Sequence, residues 1–189
     1  MEALKLKTVA DLDDACRENE RIELIDGEIV KRPMARFGHS MVQSGLSGQF
    51  FPLWGKGDDD GWWIVTEVSV RYSEHHCPSH DLAGWRKSRV PNPPCSVMDK
   101  VPDWVCEITS PGHERKDFVT QLLRLQSFQV PYYWIISPED KTLIAYALTD
   151  GQYRVVYSVE CGQDRQNCNS LAIPPFEDMK LDLGAIFLE

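Results

Sequence analysis

Apolar positions along the chain alternate between a period near 3.6 and a period of two, and each switch marks an element boundary. Residues 8–18, TVADLDDACRE, predict a short helix with Thr8 as its N-cap. In RIELIDGEIVKRP two alternating runs flank Asp26-Gly27, the signature of a β-hairpin. From His39 to about Trp54, Met41, Val42, Leu46, Phe50 and Phe51 recur at helical spacing. After a GKGDDDG loop, WWIVTEVSVRY alternates and is rich in β formers, so it reads as a strand. EHHCPSH reads as a polar turn and DLAGW as a short strand, followed by a basic, Pro-rich loop, RKSRVPNPPCSVMDKVP.

The second half continues with a strand at DWVCEIT. KDFVTQLLRLQSF predicts a helix with Val119, Leu122, Leu123, Leu125 and Phe128 on its apolar side. VPYYWIIS predicts a buried strand, and TLIAYAL and YRVVYSV flank TDGQ as a second hairpin. From Gly162 the tail reads as polar, closed by IPPF and LDLGAIF. The order of elements points to an α/β (α+β) chain with one mixed sheet and helices packed on it, taken as a single domain over residues 1–189.

Composition agrees with a soluble globular protein: 42% hydrophobic and 26% charged. No apolar run approaches the length of a membrane span and the first residues lack a signal-peptide core, so a cytoplasmic protein with no membrane partner is expected. The formal net charge of −9 works against nucleic-acid binding, but it is unevenly spread. Residues 74–116 hold six acids and six bases, whereas residues 137–189 hold nine acids and four bases. Six cysteines contain no C-x-x-C pair, and reduced thiols are the expectation.

Candidate chemistry lies in two carboxylates. Glu107 stands between Val105, Cys106 and Ile108 in a strand of buried type, where a charge needs a partner. Asp81 opens the preceding strand, 107 − 81 = 26 residues earlier, so adjacent strands would bring both to one end of the sheet. Two neighbouring carboxylates repel, and one takes up a proton unless a cation joins them. Mg²⁺ binds through few protein carboxylates and suits phosphodiester hydrolysis. The alternative is separate solvation or salt bridges, with Arg86, Lys87, Arg115 and Lys116 within reach.

Five segments in order, IELIDGEIVKRP, GHSMVQSGL, DLAGWRKSRVP, VPDWVCEITSPGHERKDF and VPYYWIISPEDKTLIAYAL, cover about residues 20–157 with the DG and Tyr that follow. Together they resemble the Uma-type family of restriction-endonuclease-like proteins in the PD-(D/E)XK nuclease superfamily. The resemblance implies a restriction-endonuclease-like core, a four-stranded mixed sheet flanked by helices, here with an N-terminal hairpin and a C-terminal hairpin extension. It implies a DNA endonuclease using Mg²⁺ or Mn²⁺ and acting as a homodimer. Asp81 matches the metal-binding Asp of the family, Glu107 the acid of the (D/E)XK element, Glu23 a frequent family acid and His39 a family His. Asp81 and Glu107 are thus the implied metal ligands, with Glu23 helping directly or through water.

Three positions depart from the pattern. His80 precedes Asp81 where the superfamily has Pro, Thr109 stands at the Lys of E-x-K, and Gln121 stands where relatives carry a Lys in the following helix. A glutamine cannot supply a positive charge, so Gln121 is left to position the attacking water. Lys116 lies five residues earlier and on another helical face. The alternative function is a catalytically degenerate nuclease fold serving as a nucleic-acid-binding or scaffold module. RNA or branched DNA substrates are equally open.

Several further residues carry competing readings. Arg86, Lys87 and Arg89 put three charges beside Asp81 in the sequence and are candidate phosphate contacts. His39 either touches substrate or caps a helix, and Glu67 is either a site acid or a cross-strand ion-pair member. His75, His76, Cys77 and His80 invite a transition-metal reading, but their cramped spacing favours a turn. Trp62, Trp63, Tyr132, Tyr133 and Trp134 read as core or dimer surface rather than base-stacking groups.

Overall fold

The computed structural model describes residues 5–18, 21–57, 60–110, 116–162 and 168–187, without the side chains of 116–118. Its first helix, α1 (Val9–Cys16), begins in a capping box. The Thr8 hydroxyl accepts from the Asp11 amide at 3.3 Å, and the Asp11 carboxylate accepts the Thr8 N–H at 2.8 Å. The hairpin follows as β1 (Ile22–Ile25) and β2 (Glu28–Lys31). Asp26 and Gly27 take φ of 51° and 84°, the left-handed pair that a two-residue turn between right-twisted strands requires.

Next come α2 (Phe37–Phe50), which runs into a 3-10 turn at Phe51–Gly55, then β3 (Trp62–Ser69), β4 (Ser79–Arg86) and β5 (Trp104–Ile108). After α3 (Lys116–Ser127) come β6 (Tyr132–Ser137), β7 (Thr142–Thr149) and β8 (Gln152–Glu160), closed by β9 (Leu171–Ile173) and β10 (Phe176–Leu181). Strands β3 to β8 form one six-stranded sheet in chain order. Every neighbour is antiparallel except β5 and β6, which run parallel because α3 carries the chain back between them. No helix among the described residues is long and apolar enough to cross a membrane.

Alternation gives each face of the sheet its own core. Leu82, Trp104, Cys106, Ile108, Trp134 and Ile136 pack against Val42, Leu46 and Phe50 of α2. Ala83, Trp85, Val105 and Tyr133 pack on the other side with Leu125 of α3. Gly84 keeps β4 flat against its neighbours, since a Cβ there would come within 3.2 Å of both Trp62 and Trp104. The expected core role of Trp62, Tyr133 and Trp134 holds: all three are buried.

Four expectations need correction. In α3 the buried stripe runs through Leu122 and Leu125, while Val119 and Leu123 stay exposed, because only one side of the helix meets the sheet. The EHHCPSH segment is not a solvated turn: His76, Cys77 and Pro78 are buried. Cys77 exchanges backbone hydrogen bonds with Leu24, which docks the N-terminal hairpin beside the start of β4. Cys161 and Cys168 are joined as a disulfide rather than held as thiols, their Cα atoms 5.7 Å apart across a seven-residue separation. The tail is not a polar appendage either. Ile173, Phe176, Leu181, Leu183, Ile186 and Phe187 are buried in the α2-side core.

Phe176 is the anchor of that tail, its ring centroid 4.6 Å from Phe50, 4.9 Å from Trp62 and 5.1 Å from Trp104. Phe176→Ala is expected to cost about 3–5 kcal/mol, read as a drop in the denaturant midpoint. Phe51→Ala, at an exposed ring, serves as the control. Equal midpoints in the two variants would show that the tail does not hold the core.

Candidate active site

The β4–β5 ladder pairs Gly84 with Trp104, Ala83 with Val105 and Leu82 with Cys106, and there it ends. Beyond that last pair the Ile108 amide donates to the Asp81 side chain, Oδ2, at 2.8 Å. A carboxylate thus takes the place of a strand carbonyl where the two strands part, and Asp81 is held nearly buried by its neighbour. His39 of α2 brings Nε2 to 3.1 Å from the same Oδ2. Arg32, just past β2, brings Nη2 to 3.6 Å from Oδ1. Gln43, one turn after His39, donates to the Asp81 carbonyl at 2.9 Å and to Glu67 Oε1 at 2.9 Å.

Glu67 sits mid-strand with φ of 51°, a conformation that a non-glycine residue adopts only when its surroundings demand it. Its second oxygen, Oε2, accepts from Arg32 Nη1, which also donates to Ser79 Oγ at 3.1 Å. The Arg32 guanidinium therefore bridges Glu67, Ser79 and Asp81. Burial acts against its charge, but Glu67, Asp81 and Glu23 outweigh that and raise its pKa.

Glu107 meets His80. His80 Nδ1 lies 2.6 Å from Glu107 Oε1, and Tyr72 Oη lies 2.9 Å from His80 Nε2. Burial pushes the Glu107 carboxyl well above the usual carboxylate range, and the charges of Asp81 and Glu23 push it further. Burial also lowers the His80 pKa to about 4, so its ring is neutral at physiological pH. For His39 burial again opposes charge, but the hydrogen bond and charge of Asp81 prevail and its pKa rises.

These groups open onto one cavity of about 860 Å³. The structure brings Glu23, His39, Asp81, Glu107 and Gln121 to its wall, together with Glu67. Glu23 Oε2 accepts the Ser79 amide at 3.1 Å, which ties the N-terminal hairpin to β4. Gln121 reaches the wall from α3, and Thr109 follows β5 there. Arg115 and the Lys116 side chain lie outside the described residues.

Arg86, Lys87 and Arg89 are not beside Asp81. They lie at or beyond the far end of β4, which an extended strand puts about 16 Å or more away at ~3.3 Å per residue. Each side chain is engaged there. Arg86 covers the Trp62 ring at 4.6 Å. Lys87 donates to the Trp54 and Lys56 carbonyls at 2.6 and 3.2 Å. Arg89 pairs with Asp103. Nor do the histidines of the EHHCPSH segment gather: His76 faces Asp26 at 3.0 Å and His80 faces Glu107.

Arg32, Gln43 and the Tyr72–His80 pair were not foreseen as site groups. Gln43 was within reach of sequence reasoning, since it follows His39 by four residues on one helical face. Arg32 had no local signal, because its partners come from two distant strands, β3 and β4. Among the described residues no three His, Cys, Asp or Glu side chains form a ready metal cage. Asp81 and Glu107 both line the cavity.

The profile of the Uma2 family, described as "Putative restriction endonuclease", matches residues 9–175. Among solved structures, a putative nuclease belonging to DUF820 from Anabaena variabilis superposes with a TM-score of 0.74 at 20% identity, covering 95% of this chain and 97% of that one. That likeness is one of fold. No curated protein matches.

The electrostatics predict a titration. His39 should show an NMR midpoint above 6.5 in the wild type and a lower one in Asp81→Asn, where only the charges of Glu67 and Glu107 still oppose burial. A raised histidine pKa stabilises the fold fully below about 6.5, and that contribution fades as pH rises through the folded midpoint. A midpoint unaffected by the substitution would refute the Asp81–His39 coupling.

Proposed function

The chain belongs to the Uma2 family of restriction-endonuclease-like proteins, and we propose that it is a Mg²⁺- or Mn²⁺-dependent endonuclease hydrolysing DNA phosphodiester bonds. One observation carries the reading: Asp81 and the half-buried Glu107, whose carboxyl pKa is raised by burial and by the charge of Asp81, both line the large cavity that opens where β4 and β5 part. Like charges in one buried site call for a cation, and carboxylate oxygens suit a hard one. Asp81 and Glu107 would hold it, with Glu23 within the same cavity. Bound there, the ion supplies Lewis-acid polarisation of the phosphoryl oxygen.

The chain's own residues would do the rest. His80, its ring kept neutral by burial, and Tyr72 behind it fix the orientation of the Glu107 carboxylate. Gln121 offers both a donor and an acceptor to orient the attacking water. The water oxygen bonds to phosphorus and the bond to the leaving sugar oxygen breaks. That oxygen gains a proton, and the proton shed by the water passes to solvent. We take residues 1–189 as one domain, and a homodimer as the form that presents two cavities to the two strands of a duplex.

A specific observation favours a second reading, a non-catalytic nucleic-acid-binding module. His39 already sits at one Asp81 oxygen and Arg32 faces the other at 3.6 Å, and Thr109 and Gln121 are neutral.

Nicking of supercoiled plasmid at low salt with Mg²⁺ or Mn²⁺ separates the two, using wild type and Asp81→Ala prepared identically. The enzyme reading expects metal-dependent nicking that the variant loses. Equal nicking by both preparations would mark a contaminant. No nicking and no Mn²⁺ binding would leave the binding-module reading.

A further inference from the structure

A phosphodiester is an anion, yet the cavity wall carries four acids: Glu23, Glu67, Asp81 and Glu107. Anionic substrate enters such a site only if fixed positive charge meets it. The residues expected to flank Asp81 with charge are spent at the other end of β4. Arg21, Lys31 and Arg124 also line the cavity, and Arg124 is paired with Asp26 at the hairpin turn. Arg32 is the cation held against Asp81 itself, its side chain 21% exposed and facing the cavity.

We propose that Arg32 is a catalytic residue, its guanidinium hydrogen-bonding the phosphoryl oxygens of the scissile phosphodiester. This rests on the nuclease reading and identifies the group that grips the anion. Three features support it. Guanidinium presents a planar fork that matches phosphate oxygens bidentately and stays charged, so Arg32 transfers no proton in the step. One arm is anchored, Nη1 by Glu67 and Ser79 Oγ. The other, Nη2, stands 3.6 Å from Asp81, an ion-pair distance beyond hydrogen-bond length, so it is placed to take up a new acceptor.

The anchor is itself built at a cost. Glu67 holds φ of 51° in the middle of β3 and has its other oxygen fixed by Gln43. Strain of this sort persists where the surroundings over-determine a position, and it concentrates at functional sites. A counterion serving stability alone would need neither a left-handed strand residue nor an opening onto the cavity.

The test uses the full chain as wild type, Arg32→Gln and Arg32→Lys. Mn²⁺ affinity without DNA, thermal stability and single-turnover plasmid nicking are measured for each. Arg32→Gln is expected to bind Mn²⁺ at least as tightly as wild type, because a positive charge has left the acids, while nicking about 10²-fold more slowly. Arg32→Lys, a point charge without the fork, should recover part of the rate. Equal nicking by wild type and Arg32→Gln would overturn this inference and leave the nuclease reading standing. A loss of Mn²⁺ binding and of thermal stability parallel to the loss of rate would also overturn it, assigning Arg32 a structural role. Absence of nicking by the wild type would remove both readings together.

Discussion

The amide of Ile108 donates to a side chain, and the geometry of the cavity follows from that bond. In the interior of the sheet, β4 and β5 satisfy each other's backbone groups. Past Cys106 they separate, and a buried N–H would be left orphaned. Asp81 supplies the missing acceptor, which fixes its carboxylate at the mouth of the split. Everything placed around it then answers a charge problem. Arg32 and His39 bring positive charge to its two oxygens. Glu107, next in register, cannot have a second such set and so is pushed toward protonation, with a neutral His80 as its partner.

Burial and charge act in opposite senses on the two histidines. Both rings are buried. His39 touches Asp81 and its pKa is raised, whereas His80 touches a carboxyl that is itself inclined to keep its proton, and its pKa falls to about 4. His80 precedes Asp81 in β4, and in this fold it serves as the link between Tyr72 and Glu107. An ion between Asp81 and Glu107 would draw the Glu107 proton away and leave the carboxylate oriented by that link.

Local pattern made most elements legible. The capping box at Thr8, the Asp-Gly turn and the alternation in β3 to β8 are short-range features, and the structure follows them. Family resemblance led to Glu23, His39, Asp81, Glu107 and Gln121, and the structure lines one cavity with all five. What escaped was long-range. Proximity in sequence suggested that Arg86 to Arg89 stand by Asp81, but an extended strand carries them to the opposite end of the sheet. The tail read as polar up to IPPF, and only the packed structure shows Ile173, Phe176 and the apolar residues after them joining the core of Phe50 and Trp104. Arg32 was invisible for the same reason: a guanidinium gains meaning from partners 35 and 49 residues away, at Glu67 and Asp81.

The central proposal is that one cation joins Asp81 and Glu107, whose carboxyl pKa burial and the charge of Asp81 raise. Calorimetric titration of Mn²⁺ into the protein near pH 7, repeated in buffers of different ionisation enthalpy, counts the protons released. The account predicts that wild type releases more protons than Glu107→Gln, because a raised carboxyl pKa favours a bound proton that the metal displaces. Tight binding with the same proton count in both proteins would contradict it, and would place the metal elsewhere in the cavity.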